Sequence, residues 1–149
     1  MKPRPLVIGL GSPHGDDQAG WLVVKALHSR GWSDREARNI SQPIDLIDTL
    51  PDPRPLLLCD AACGNEEVGC CRRWNWPEQD LPTRNPSGSH NLPLAGVLEL
   101  ARELKILSGP VELRTINGSA WNSFSDPCRD VAMAAEQLAA EIDGGLGDA

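Results

Sequence analysis

The segment LVIGLGSPHGDDQAGW (residues 6–21) decides the fold. An apolar run ends in a glycine-rich turn at Gly9 and Gly11, and apolar residues then recur at helical spacing: Ala19, Leu22, Val23, Ala26 and Leu27. A strand that is apolar on both faces is typical of a parallel sheet covered by helices on both sides, and the spacing that follows is that of an amphipathic helix. The segment therefore predicts a strand, a tight turn and a helix, with Gly31 as the C-terminal cap.

The same alternation continues along the chain. Further strands are predicted within residues 37–43, 54–62, 67–76 and 111–118. The strand within 67–76 is predicted to lie at an edge of the sheet. Further helical segments are predicted at 44–50, from Ser89 onward and over 131–142. Pro93 would lie in the first turn of the Ser89 helix, and residues 77–89 read as a loop. We predict a single α/β domain over residues 1–149 with a flexible tail at 143–149. Its fold would be a three-layer α/β/α sandwich of the phosphorylase/hydrolase kind, with a mostly parallel sheet of about five strands.

Composition excludes several classes of function. The 149 residues carry a formal net charge of -7, which disfavours nucleic-acid and anionic-membrane surfaces because no basic patch can replace phosphate counterions. No apolar run reaches the length of about 18 residues that a membrane span needs, and the first residues lack a signal-peptide pattern, so we expect a cytoplasmic protein. The five cysteines lack paired C-x-x-C spacing, which favours free thiols over a zinc site or a disulfide framework.

Polar residues with metal-binding side chains follow three of the predicted strands or open the next helix. Asp17 begins the first helix, Asp60 ends the strand LLLCD, and His90 lies at the start of the helix that begins at Ser89. Ligands of open α/β sheets bind at the carboxyl ends of the strands, and two carboxylates with one imidazole suit a divalent first-row metal such as nickel. Asp16 is a possible substitute for Asp17, since either carboxylate could instead cap the helix, and His14 is a possible fourth contributor.

Competing catalytic patterns are weak or absent from the sequence. Gly9 and Gly11 begin a dinucleotide-binding G-x-G-x-x-G pattern, but His14 occupies the third glycine position and two aspartates lie where a pyrophosphate would bind. We therefore expect no nucleotide cofactor. The sequence contains neither the G-x-S-x-G of a nucleophile elbow nor the H-E-x-x-H of a resident catalytic zinc.

Taken in order, these motifs resemble the nickel-iron hydrogenase maturation endopeptidases. The family's opening G-x-G-N loop with its acidic pair is similar to GLGSPHGDDQAG, its D-A after a hydrophobic strand to Asp60-Ala61, and its S-x-H motif to SGSHNLPLAGVLELA. The segment FSDPCRDVAMAAEQL is similar to the helix that ends family members. The resemblance covers nearly the whole chain, although Ser12 stands where the family usually has asparagine.

The resemblance implies an endopeptidase that removes the C-terminal extension of a hydrogenase large-subunit precursor after nickel insertion. Asp17, Asp60 and His90 would be both the catalytic site and the residues that grip nickel, and the nickel would be carried by the precursor. The chain would act as a monomer. An alternative is a non-catalytic metal-binding or metal-sensing module with the same site. Cys59 beside Asp60 leaves a thiol role open, and the choice between Asp16 and Asp17 is open as well.

Overall fold

The sheet has five strands. The computed structural model describes residues 4–82 and 92–145, and the strands are β1 (Leu6–Leu10), β2 (Ala37–Ile40), β3 (Leu56–Ala62), β4 (Cys71–Trp76) and β5 (Val111–Asn117). Their spatial order is β2-β1-β3-β5-β4. The first four strands in this order are parallel, and β4 pairs antiparallel with β5 at the edge. The predicted mostly parallel sheet with residues 67–76 at its edge is confirmed.

Helices cover both faces of the sheet. The α-helices are α1 (Ala19–Ser29), α2 (Leu46–Thr49), α3 (Leu94–Glu103) and α4 (Arg129–Asp143), and short 3-10 turns at Gly15–Gln18 and Pro43–Asp45 lead into α1 and α2. On one face α1 packs against α4, and on the other α2 lies beside α3. The predicted three-layer α/β/α sandwich is confirmed.

The two-residue period of the strands divides the core into two layers. Val7 and Leu57 pack in the layer beneath α1 and α4, whereas Ile8 and Leu58 pack in the layer beneath α2 and α3. Both sides of β1 and β3 are therefore buried, as the uninterrupted apolar runs in the sequence require.

The strand order places a topological switch point between β1 and β3, where a ligand-binding crevice is expected. The chain leaves β1 and crosses to β2 on one side, and later returns to form β3 on the other side of β1. At such a switch point the connections after two neighbouring strands diverge, and the space between them is where α/β folds bind ligands. The carboxyl ends of β1 and β3, which precede Asp17 and include Asp60, flank this crevice.

One predicted boundary is wrong. The third helix begins at Leu94 rather than Ser89, because Pro93 is extended and accepts the first helical hydrogen bond from Val97 N–H at 3.0 Å; a residue before proline is disfavoured from helical geometry. Asp143 ends α4 and accepts a 2.8 Å hydrogen bond from Trp32 Nε1, and the flexible tail over 143–149 stays a prediction. Residues 83–91 and 146–149 lie outside the described residues. A single domain over 1–149 stays a prediction.

Candidate active site

The loop after β1 carries the acidic pair. The chain turns at Gly15, which is buried and has a φ of +54°, a conformation that glycine adopts without steric penalty. A 3-10 turn then presents Asp16 and Asp17 just before α1, and Asp17 N–H donates to the carbonyl of His14 at 3.0 Å. The two aspartates are adjacent, so their side chains leave the turn in different directions.

Asp16 points into the protein. Its side chain is fully buried and accepts backbone N–H hydrogen bonds from Ser119 at 2.8 Å, Ala120 at 2.9 Å and Cys128 at 2.7 Å. The Cys128 thiol lies 3.5 Å from the same carboxylate. Asp16 therefore fastens the segment 118–128, between β5 and α4, onto the loop after β1.

The electrostatics of Asp16 agree with this role. Burial by itself raises the pKa of a carboxyl group, because it removes water from the charged form. The backbone N–H donors outweigh that effect and hold the pKa of Asp16 below its ordinary value of 3.8. The ionised carboxylate is thus the form that the fold stabilises, and its lone pairs are committed to the protein.

Asp17 has different surroundings from Asp16. It is half-buried, and its Oδ2 accepts a 2.6 Å hydrogen bond from Ser12 Oγ. Ser12 is the residue that departs from the family pattern, and here its hydroxyl orients the carboxylate. Of the acidic pair, Asp17 is the member that is partly exposed, whereas Asp16 is fully buried.

Asp60 lies near the carboxyl end of β3. Its Cα neighbour across the sheet is Thr115 of β5, and strand alternation places its side chain on the same face as Leu56 and Leu58, the face that α3 covers. The side chain is 3% exposed, and Oδ1 accepts a 2.8 Å hydrogen bond from the N–H of Ala61. A buried carboxylate at a strand end, at the edge of the crevice, is suited to hold a cation or to accept a proton.

His90, the third predicted site residue, lies outside the described residues. It precedes α3 in the sequence, and α3 packs on the sheet face that carries Asp60. Within residues 4–82 and 92–145, no group of three or more His, Cys, Asp or Glu side chains is placed to hold a metal ion. Asp17 and Asp60 lie within the described residues and His90 does not, and the assignment of all three as site residues stays a prediction.

Two residues whose roles the sequence left open have definite contacts. His14 Nδ1 accepts a 3.1 Å hydrogen bond from the N–H of Phe124, and the two rings meet edge to face with centroids 4.8 Å apart. Cys59 is fully buried beneath α1, and burial raises the pKa of its thiol to about 12. A thiol with that pKa is not a nucleophile at neutral pH.

All five cysteines are free, as the absence of paired spacing in the sequence predicts.

The segment 118–128 is the part of the site that sequence reasoning missed. Gly118 leaves no room for a side chain, since a Cβ there would lie 2.6 Å from the Cβ of Asp16, and Gly15 N–H and Gln18 Nε2 both donate to the carbonyl of Ser125, at 3.1 and 2.9 Å. The glycine at the end of the predicted strand 111–118 was the available signal. A glycine at this position does not show that the loop after β1, with Asp16, is the segment that packs against it.

No α-helix in the described ranges is both long enough and apolar enough to cross a bilayer.

The sequence matches none of the protein-family models and none of the curated proteins compared with it.

Solved structures of hydrogenase maturation proteases share the fold. The HycI [NiFe] hydrogenase maturation protease of Thermococcus kodakarensis superposes with a TM-score of 0.72 at 23% identity, over 97% of this chain and 93% of that one. The HybD hydrogenase-maturating endopeptidase of Escherichia coli gives 0.70 at 20% identity, over 96% and 94%. A third, HybD of T. kodakarensis, gives 0.72 at 16% identity, over 98% and 100%. The resemblance read from the motifs is confirmed at the level of the fold.

Proposed function

We propose that the protein is an endopeptidase that removes the C-terminal extension of a [NiFe]-hydrogenase large-subunit precursor. The observation that carries the proposal is the placement of Asp17 and Asp60 at the carboxyl ends of β1 and β3, beside the switch point of the sheet. The shared fold supports the same reading, since the similar solved structures are named as maturation proteases.

The nickel belongs to the substrate in this proposal. Asp17 and Asp60 would contribute carboxylate oxygens, and His90 an imidazole nitrogen, to the nickel that the precursor presents. This donor set suits a divalent first-row metal. The net charge of -7 favours approach of a cationic centre. Asp16 is not part of the proposed ligand set, because its oxygens are engaged by backbone N–H groups and a thiol.

The proposed reaction is the addition of water across one peptide bond. The water oxygen bonds to the carbonyl carbon, the C–N bond breaks, and the departing amine takes a proton. A carboxylate beside the bound precursor can accept the proton from the water, and a metal close to the carbonyl can polarise it or activate the water.

The experiment uses purified precursor with and without nickel, and intact-protein mass spectrometry to detect the shortened product. We expect cleavage of the nickel-loaded form only. Asp17→Ala, Asp60→Ala and His90→Ala should each reduce the rate by at least about a hundredfold, the usual contribution of a positioned acid–base group. Asp34→Ala is the matched control, because the Asp34 carboxylate is 95% exposed and lies on the connection that enters β2.

Each outcome decides something. Wild-type rates in all three variants would remove these residues from the site. If the wild-type chain binds nickel tightly by itself and cleaves neither precursor, the metal-binding or metal-sensing module becomes the better reading of the same residues. Equal cleavage of loaded and nickel-free precursor would retain the peptidase and refute recognition through nickel.

A further inference from the structure

Phe124 is an exposed aromatic residue beside the site. It lies in the segment 118–128, its side chain is 79% exposed, and it is the most exposed large apolar residue in the described part of the chain. Single exposed apolar side chains are common on soluble proteins and by themselves indicate nothing. Two further features distinguish this one.

The first feature is the backbone. Phe124 has a φ of +54°, and for a bulky residue this left-handed conformation is a genuine outlier. Such strain persists only where neighbouring contacts impose it, and it concentrates at functional sites. Asparagine or glycine would occupy the position with less strain, so the aromatic side chain is present at the expense of local stability.

The second feature is the connection to the site. The N–H of Phe124 donates to His14 Nδ1 at 3.1 Å, and its ring rests edge to face on the His14 ring. His14 in turn accepts the N–H of Asp17 through its carbonyl oxygen at 3.0 Å. The carbonyl of the next residue, Ser125, accepts from Gly15 N–H. The backbone of Phe124 is therefore connected through His14 to the turn that carries Asp17, while most of the ring surface is exposed.

We propose that Phe124 is a docking residue that packs against apolar surface of the precursor polypeptide while the metal-bearing part of the precursor lies beside Asp17. The proposal rests on the function proposed above and adds to it a contact that does not involve nickel. An aromatic side chain has only two rotatable bonds to immobilise on binding, and aromatic residues are enriched at interfaces. The anchoring through His14 sets the distance between this contact and Asp17.

The test separates binding from chemistry. Phe124→Asn removes the ring but suits the positive φ, and Phe124→Leu retains apolar surface. Met133→Asn is the matched control, because Met133 is 57% exposed but lies on α4. Affinity for nickel-free precursor is measured by biolayer interferometry, KM and kcat with nickel-loaded precursor by mass spectrometry, and thermal stability by the Tm.

We expect Phe124→Asn to weaken binding and raise KM by about tenfold or more, the effect of losing one interface hot spot, with kcat within a factor of about two. Phe124→Leu should lose less, and Met133→Asn should match the wild type. The Tm of Phe124→Asn should equal or exceed that of the wild type, because the strain is relieved. If the ring had a purely structural role, Phe124→Asn would have a lower Tm than the wild type. The folded fraction of the variant would then bind the precursor with unchanged affinity.

The outcomes for the two proposals are distinct. If the wild type cleaves and Phe124→Asn binds and cleaves as the wild type does, the docking role is refuted and the endopeptidase stands. If the wild type binds precursor without cleaving it and Phe124→Asn binds at least about tenfold more weakly, the docking role stands and the endopeptidase falls. A wild type that neither binds nor cleaves refutes both.

Discussion

Replacement of Asp16 by asparagine tests the division of labour within the acidic pair. The substitution keeps the shape of the side chain but leaves one oxygen to accept hydrogen bonds. Two of the backbone N–H donors converge on Oδ2 and the third, from Cys128, on Oδ1. If the amide oxygen takes the Oδ2 position, it still accepts hydrogen bonds from Ser119 and Ala120 N–H, but as a neutral acceptor. The NH2 group then lies next to Cys128 N–H, so two donors face each other and Cys128 N–H loses its acceptor.

The expected loss follows from these contacts. A buried donor without a partner costs about 1–3 kcal/mol, and a hydrogen bond to a charged acceptor exceeds a neutral one by about 1 kcal/mol. Removal of the buried charge returns part of this loss, since burial opposes ionisation of Asp16. We expect Asp16→Asn to lower the unfolding free energy by about 2–4 kcal/mol, out of the 5–15 kcal/mol typical of a domain. The Tm should fall by about 4–16 °C.

The assay is urea unfolding followed by tryptophan fluorescence, with hydrogen exchange at the amides of Ser119, Ala120 and Cys128. Exchange at these amides should accelerate in Asp16→Asn. Asp17→Asn is the matched control, because its carboxylate is half-buried and accepts a hydrogen bond from the nearby Ser12; it should lose precursor processing with a much smaller loss of stability. A stability of Asp16→Asn within about 0.5 kcal/mol of wild type, the range of ordinary surface substitutions, would refute the assigned role.

Three further predictions concern stability in acid, the packing of α1 on the sheet, and the accessibility of the cysteine thiols. Because the pKa of Asp16 is lowered below 3.8, its ionised form contributes stability above that pH and loses it as pH falls through the folded-state value; the difference in unfolding free energy between wild type and Asp16→Asn should be constant above about pH 5 and shrink in acid. Gly20→Ala should destabilise by about 1–3 kcal/mol in urea unfolding, because a Cβ there would collide with strand carbonyl oxygens of β1 and β3, whereas Gly109→Ala, with no atom within 4 Å, should be neutral or slightly stabilising; equal effects would contradict the packing argument. Alkylation of the native protein should label exposed Cys63 and spare buried Cys59 in peptide mass spectra, so labelled Cys59 would show that this thiol is accessible.

The sequence by itself determined the alternation of strands and helices. The apolar runs of β1 and β3 and the helical stripes of α1 and α4 are local patterns, and each is long enough to be read without knowledge of its neighbours. The positions of Asp17 and Asp60 at strand ends follow from the same patterns. The parallel sheet follows in turn, since helices between strands bring the chain back in the same direction.

Only the tertiary structure decided what each residue of the pair Asp16 and Asp17 does. Local rules give both the same expectation, a carboxylate at a helix start. The distinction comes from Ser119, Ala120 and Cys128, more than a hundred residues away in sequence, whose N–H groups surround one carboxylate and not the other. Hydrogen bonds over such separations depend on how the segments are placed in space, and one sequence carries no periodic or compositional trace of that placement.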